Sequence, residues 1–189
     1  RQRQMCIRDR HKTIRWVVTV FLITVVISGI ISLVSDEVMD SSSLPVAFLI
    51  LLAIVMVGII FDIIGMAVAS ADEKPFHSMA ARKVPGSQEA IRLLRNAERV
   101  SSICNDVVGD ICGVVSGSAS ATIAALILTQ VDVGWPRGVS LVMSALVAGL
   151  TVGGKAIGKT FAVNSCTQIV HMVGKVLHAL NGLHGKRKK

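Results

Sequence analysis

The chain has 189 residues, of which 52% are hydrophobic, with a mean hydropathy of +0.64 and a formal net charge of +8. A soluble domain of this length has too small a core to hide so much apolar surface, so a bilayer is the simpler solvent. Aromatic residues make up only 4% and Tyr is absent, which argues against a base-stacking surface and a nucleic-acid partner, and against a strong interfacial aromatic belt.

The basic residues cluster at the N-terminus, between Lys74 and Arg99, and after Lys155. That clustering is the pattern of cytoplasmic loops in a multi-pass protein. The first ten residues, RQRQMCIRDR, read as a non-native leader resembling translated adaptor sequence, and fold reasoning starts at residue 11. Cys6, Cys104, Cys112 and Cys166 have no metal-type spacing and read as unpaired thiols packed as small hydrophobes.

The first predicted span is Ile14 to Val34, about twenty apolar residues behind Lys12 and Arg15, enough to cross a hydrocarbon core of roughly 30 Å. Asp36, Glu37 and Asp40 follow with no Lys or Arg nearby and mark the far side. A second span covers Leu44 to Ser70, with Pro45 tolerated in its first turn. Asp62 interrupts it towards the cytoplasmic end, either at the interface or facing a cavity.

Ala71 to Val100 is the long polar segment. Pro75 and Pro85-Gly86 punctuate it, Ser87 is placed to cap the next helix, and Ile91, Leu94 and Val100 recur at helical spacing. Two short amphipathic helices along the inner membrane face are expected.

The third span starts near Asp106 and ends at Gln130. Gly109, Gly113 and Gly117 fall four apart beside several Ser and Ala, a face on which another helix backbone can come close. Asn105, Asp106 and Asp110 stand at its mouth. An ionisable group in a span costs roughly 2.5 to 3.5 kcal/mol on insertion scales, so these residues point to a cation pocket between helices. A fourth span, Val139 to about Ile157, carries Gly149, Gly153, Gly154 and Gly158. Several glycines lower helix stability by roughly 1 kcal/mol each, so an unwound turn at Gly153-Gly154 is expected, with its carbonyls available to an ion. Phe161 to Leu183 reads as an amphipathic helix on the inner interface, and 184–189 as a basic cytoplasmic tail attracted to anionic lipid. His171, His178 and His184 lack partners at ligand spacing and do not suggest a metal centre.

Two stretches carry a family resemblance. RLLRNAERVSSICNDVVGD, residues 92–110, resembles the RLLENPERFLSTILIGNTLVN segment of CNNM/CorC-type (CorB-like) divalent-cation transporters, and GGKAIGKTFA, residues 153–162, resembles their GEILPKTLA segment. The resemblance runs from Leu44 to Leu180 at low identity. It implies a magnesium, or possibly cobalt, transport domain that forms a homodimer, with a pocket built from polar residues of each span. Asn105 matches the asparagine of the family's GN pair, Asp62 stands at the serine of its SGAE-type motif, and Gly154 matches the glycine of the GEILPK segment.

The departures bear on the pocket. Gly65 stands where the family has the SGAE-type glutamate, Lys155 where it has the glutamate of GEILPK, and Gly158 where it has the proline. Asp62, Asp106 and Asp110 either restore the lost negative charge or pair with Lys155, leaving a site that no longer holds a divalent ion. No paired CBS modules follow Leu180 in this sequence, and the Ile14 to Val34 span is additional.

The sequence therefore predicts an all-α membrane protein of the cell (inner) membrane with four transmembrane helices and both termini cytoplasmic. Its division is 1–10 leader, 11–43 extra helix and outer loop, 44–183 transport-type domain and 184–189 tail. The expected cargo is a divalent cation held by Asp62, Asn105, Asp106, Asp110 and the carbonyls at Gly153 and Gly154. No catalytic residues, enzymatic activity or resident cofactor are expected, since no Ser/His/Asp, Cys/His or metal-hydrolase spacing occurs in the spans. The lipid bilayer, a second copy and a separate regulatory protein are the expected partners. The alternative is a non-transporting membrane scaffold or regulatory subunit of the same fold.

Overall fold

The computed structural model describes residues 2–40, 43–130 and 136–185. No strand occurs among them and 93% of the chain is helical, so the fold is all-α. Residues 131–135, between the third and fourth apolar segments, and the last four residues of the basic tail lie outside the described residues.

Four helices are long and apolar enough to cross a membrane. They are α1 (Gln2–Asp40), whose apolar part is Ile14–Ser35, α2 (Leu44–Ser70), the helical run Ala97–Gln130, and α7 (Pro136–Asn164). At about 1.5 Å per residue each matches or exceeds the roughly 30 Å hydrocarbon thickness. Large apolar side chains stay exposed along them, among them Phe21 and Leu33 on α1, Leu49 and Met56 on α2, and Leu146, Leu150 and Ile157 on α7. A belt of that size is compatible with a lipid surround.

Two apolar clusters hold α2 to its neighbours. One, towards the Leu44 end, joins Ala47, Leu51 and Val55 to Ala119, Ile123 and Val147. The other, towards Ser70, joins Ala67 and Val68 to Phe76, Ala90, Leu94, Ala162 and Val170. Between Val55 and Ala67 no apolar residue of α2 is fully buried in either cluster, although Ile59 packs against the first and Ile63, Ile64 and Met66 against the second, and Asp62 lies in that interval. A third cluster of Val107, Ile111 and Val115 takes in Val20 from α1 and Ile54. The Arg99 guanidinium also lies 5.5 Å from the Trp16 ring centroid. These contacts place the Trp16 end of α1 at the same end of the bundle as the basic segment.

That segment forms three short helices where two were expected: α3 (Lys74–Ala81), α4 (Ser87–Arg95) and α5 (Ala97–Ser102). The helix after Pro85 is not capped by Ser87. Gly86 holds the N-cap position at φ 84, and the buried Ser87 donates its hydroxyl back to the Val84 carbonyl at 2.6 Å. A left-handed cap at this point suits glycine. Gly86 also lies against the backbone of Gly174 and Lys175 in α8 (Cys166–Gly185), so a side chain there has no room. His178 of α8 donates through Nδ1 to Glu89 Oε1 of α4 at 2.9 Å. That hydrogen bond lowers the Glu89 carboxyl below its usual value, against the opposing effect of burial. The amphipathic α8 begins at Cys166, later than Phe161, because α7 continues to Asn164. The Ser165 carbonyl then accepts the first amides of α8, from Gln168 and Ile169, each at 3.1 Å.

Candidate functional site

On α2, Gly58, Asp62 and Gly65 recur at spacings of four and three, which places them on one helical face. They meet the start of the third span, where the chain departs from α geometry. Ile103–Gly109 is a π-helical turn joining α5 to α6 (Asp110–Gln130). Such turns insert a residue into an otherwise α-helical ladder and recur at functional sites. Here the turn brings Asn105 and Gly109 against α2. A Cβ on Gly65 would collide with Asn105 Oδ1 and come within 3.0 Å of Cys104 Cβ, and a Cβ on Gly58 would come within 2.8 Å of Cys112 Cβ. Two glycines thus let the π turn press onto α2.

The interface traps oxygen atoms without donors. Asp62 is 4% exposed and its Oδ2 has no hydrogen-bond partner; Asn105 Oδ1 is likewise buried and unpartnered. The Asn105 amide is aimed by its Nδ2, which donates to Ser101 Oγ at 3.4 Å. A buried polar group without a partner costs about 1 to 3 kcal/mol, more when charged, so both oxygens are costly to the fold unless something positive visits them.

A positive group stands near Asp62. Lys155 of α7 reaches inward, with 19% of its side chain exposed, and donates through Nζ to the Gly109 carbonyl at 3.1 Å. A Cβ built on Gly109 lies 3.5 Å from that nitrogen and 3.8 Å from Asp62 Oδ1. Ammonium and carboxylate therefore flank the same backbone atom, no more than about 7 Å apart and without ion-pair contact. The second carboxylate near Lys155 is Asp110 Oδ1 at 3.9 Å, and its side chain is 72% exposed.

The remaining expected site residues lie elsewhere. Asp106 is exposed and accepts a hydrogen bond from Ser102 Oγ at 2.8 Å, on a different helical face from its neighbour Asn105. The unwound turn at Gly153-Gly154 does not form. α7 runs unbroken from Pro136 to Asn164, which keeps those carbonyls in the helical ladder. The reason is close packing: a Cβ on Gly154 would strike Ile59 Cδ1, and one on Gly158 would come within 2.7 Å of Ile63. These glycines seat α7 on α2, while Gly153 is exposed with nothing within 4 Å of a Cβ.

Above Lys155 a groove of about 450 Å³ runs between α6 and α7, lined by Gly113, Ser116, Gly117, Ser120, Thr151 and Lys155 among others. Its hydroxyls bond their own helices: Ser116 to the Gly113 carbonyl at 2.9 Å, Ser120 to Gly117 at 2.7 Å and Thr151 to Val147 at 2.8 Å. The glycine face expected to receive a helix backbone thus borders open space, since a Cβ on Gly113 or Gly117 meets nothing within 4 Å.

Among the described residues no group of three or more His, Cys, Asp and Glu gathers at metal-binding distance, and Cys104, Cys112 and Cys166 are free. The oxygens at the α2–π interface come instead from one carboxylate, one amide and the backbone, a hard donor set suited to a hard cation. Sequence reasoning named Asp62 and Asn105 but missed the Gly109 carbonyl and the seating role of Gly58 and Gly65. A small residue every three to four positions opposite a polar stretch was the available signal. No family model, curated protein or solved structure matches the chain.

Proposed function

We propose that the chain is a multi-pass membrane transport domain of the CNNM/CorC type. In this reading it carries a divalent cation, magnesium or cobalt, through the α2–π interface. The observation that carries this reading is the pair of buried, unpartnered oxygens, Asp62 Oδ2 and Asn105 Oδ1, on facing elements at a π-helical turn. A transport site is one place where such unpaired polar groups are expected in a membrane. The Gly109 carbonyl is a third ligand candidate, and water completes the shell of a cation that dehydrates reluctantly. Both termini are placed on the cytoplasmic side of the cell membrane, where the basic segment and tail belong. A homodimer and a separate regulatory protein complete the proposal.

A second reading has its own support. Lys155 donates to the Gly109 carbonyl beside Asp62, so a tethered ammonium supplies positive charge there without any ion. In that case the chain is a non-transporting scaffold or regulatory subunit. Magnesium titration of the purified protein, followed by thermal unfolding, separates the two. The transport reading requires Tm to rise with magnesium in the parent and not in Asp62→Asn. The scaffold reading requires Tm to ignore magnesium in both.

A further inference from the structure

The polar interface holds two features that conflict for a cation site: donor-free oxygens, and an ammonium near one of them, Asp62. A divalent ion placed on Asp62 Oδ2 and Asn105 Oδ1 would lie within several ångströms of Lys155 Nζ, in a region with little water to screen the repulsion. The geometry also supplies a way out. Lys155 Nζ lies 3.1 Å from the inward Gly109 carbonyl and 3.9 Å from Asp110 Oδ1, and Asp110 is 72% exposed. Its long stem can move the charge between the two without moving α7. The groove between α6 and α7 ends at Lys155 and leaves space beside the side chain.

We propose that Lys155 is a tethered competitor for the cation. With the ammonium on the Gly109 carbonyl, it neutralises Asp62 at a distance and closes the site. With the ammonium drawn out to Asp110, Asp62, Asn105 and the Gly109 carbonyl are free to take a divalent ion. Lys155 is then a regulatory residue that touches a ligand atom of the pocket, and Asp110 is its resting partner and not an ion ligand. This assignment rests on the transport reading of the site and adds to it an internal control on ion affinity.

The test uses the full chain in detergent or nanodiscs, with manganese(II) chloride as a paramagnetic stand-in for magnesium and free manganese read by EPR. Lys155→Met keeps the stem and removes the charge; it tightens manganese binding by about tenfold or more. Lys155→Arg keeps the charge and stays weak. Asp110→Asn weakens binding in the parent, where Lys155 loses its outward partner, and has little effect in the Lys155→Met background, since the two act through each other. Asp62→Asn abolishes binding in every background. Unchanged affinity in Lys155→Met, with Asp62→Asn still abolishing binding, overturns the competitor role and leaves the site intact. An equal loss from Asp110→Asn in both backgrounds makes Asp110 a direct ligand and also overturns it. No binding in parent or Lys155→Met refutes the site itself, and the competitor with it. A circular-dichroism melt of each variant guards against misfolding, and tighter binding in Lys155→Met than in a parent of equal Tm is the strongest supporting outcome.

Discussion

Replacing Asp62 with Asn separates a carboxylate kept for an ion from one kept for the fold. Asp62 is 4% exposed, its Oδ2 is unpartnered, and no ion pair joins it to Lys155. An ionised Asp inside a span costs roughly 2.5 to 3.5 kcal/mol on insertion scales. Against that, the ammonium, more than about 4 Å and no more than about 7 Å away, returns roughly 2 to 4 kcal/mol at an effective dielectric near 20. The two nearly cancel, so Asp62→Asn in chelator-treated protein should change stability by no more than about 1 kcal/mol, a Tm shift within about 2 to 4 °C. Removing one partner of a structural buried ion pair would instead cost about 3 to 5 kcal/mol. The assay is thermal unfolding in detergent micelles with EDTA, repeated in millimolar magnesium. A Tm drop of ten degrees or more in the ion-free variant would refute the reasoning, because it would make Asp62 a structural partner of Lys155.

Other substitutions probe the packing that builds the site. Gly65→Ala drives a methyl into Asn105 Oδ1 and should cost about 1 to 3 kcal/mol by overpacking. It should also expel Asn105 and weaken magnesium-dependent stabilisation; unchanged Tm and magnesium response would count against the close α2–π contact. Gly86→Ala meets both a left-handed backbone and the α8 main chain, so a loss of about 2 to 4 kcal/mol is expected. Gly153→Ala, by contrast, meets open space in an unbroken helix and should stabilise by up to about 1 kcal/mol; a destabilised Gly153→Ala would revive the unwound turn. Glu89 has its pKa lowered in the folded state by the His178 hydrogen bond. Its contribution is therefore complete above the unfolded value and is lost as pH falls through the folded one. The parent should lose Tm between about pH 5 and pH 3 more steeply than His178→Ala, and parallel pH profiles would show that the α4–α8 bond contributes nothing.

Much of this architecture was legible because long apolar runs leave few choices but long helices. Long apolar runs mark the four helices long and apolar enough to cross a membrane, and Trp16 at the start of the first lies against Arg99 of the basic segment. Pro45 starts α2 as its missing amide predicts. The site was half legible. Asp62 and Asn105 do meet at one interface, but Asp106 does not join them, since consecutive residues of a helical turn point to different faces. Gly153-Gly154 misled for a different reason. Glycine lowers helix propensity and also permits close packing, and at Gly154 and Gly158 the packing of Ile59 and Ile63 decided the matter. Ser87 illustrates the same competition at a helix start: its hydroxyl is spent on the Val84 carbonyl, and Gly86 takes the cap through its backbone freedom. The direction of Lys155 was beyond sequence reading altogether, because its choice between Gly109 and solvent depends on how closely α7 approaches the π turn.

The most direct test of the central claim is magnesium flux into proteoliposomes carrying an entrapped magnesium indicator, comparing the parent with Asp62→Asn and Asn105→Ala at equal reconstitution. A cation path through the α2–π interface predicts flux in the parent and a loss of about tenfold or more in each variant, with both still folded. Equal flux in all three, or none in a folded parent, would contradict it.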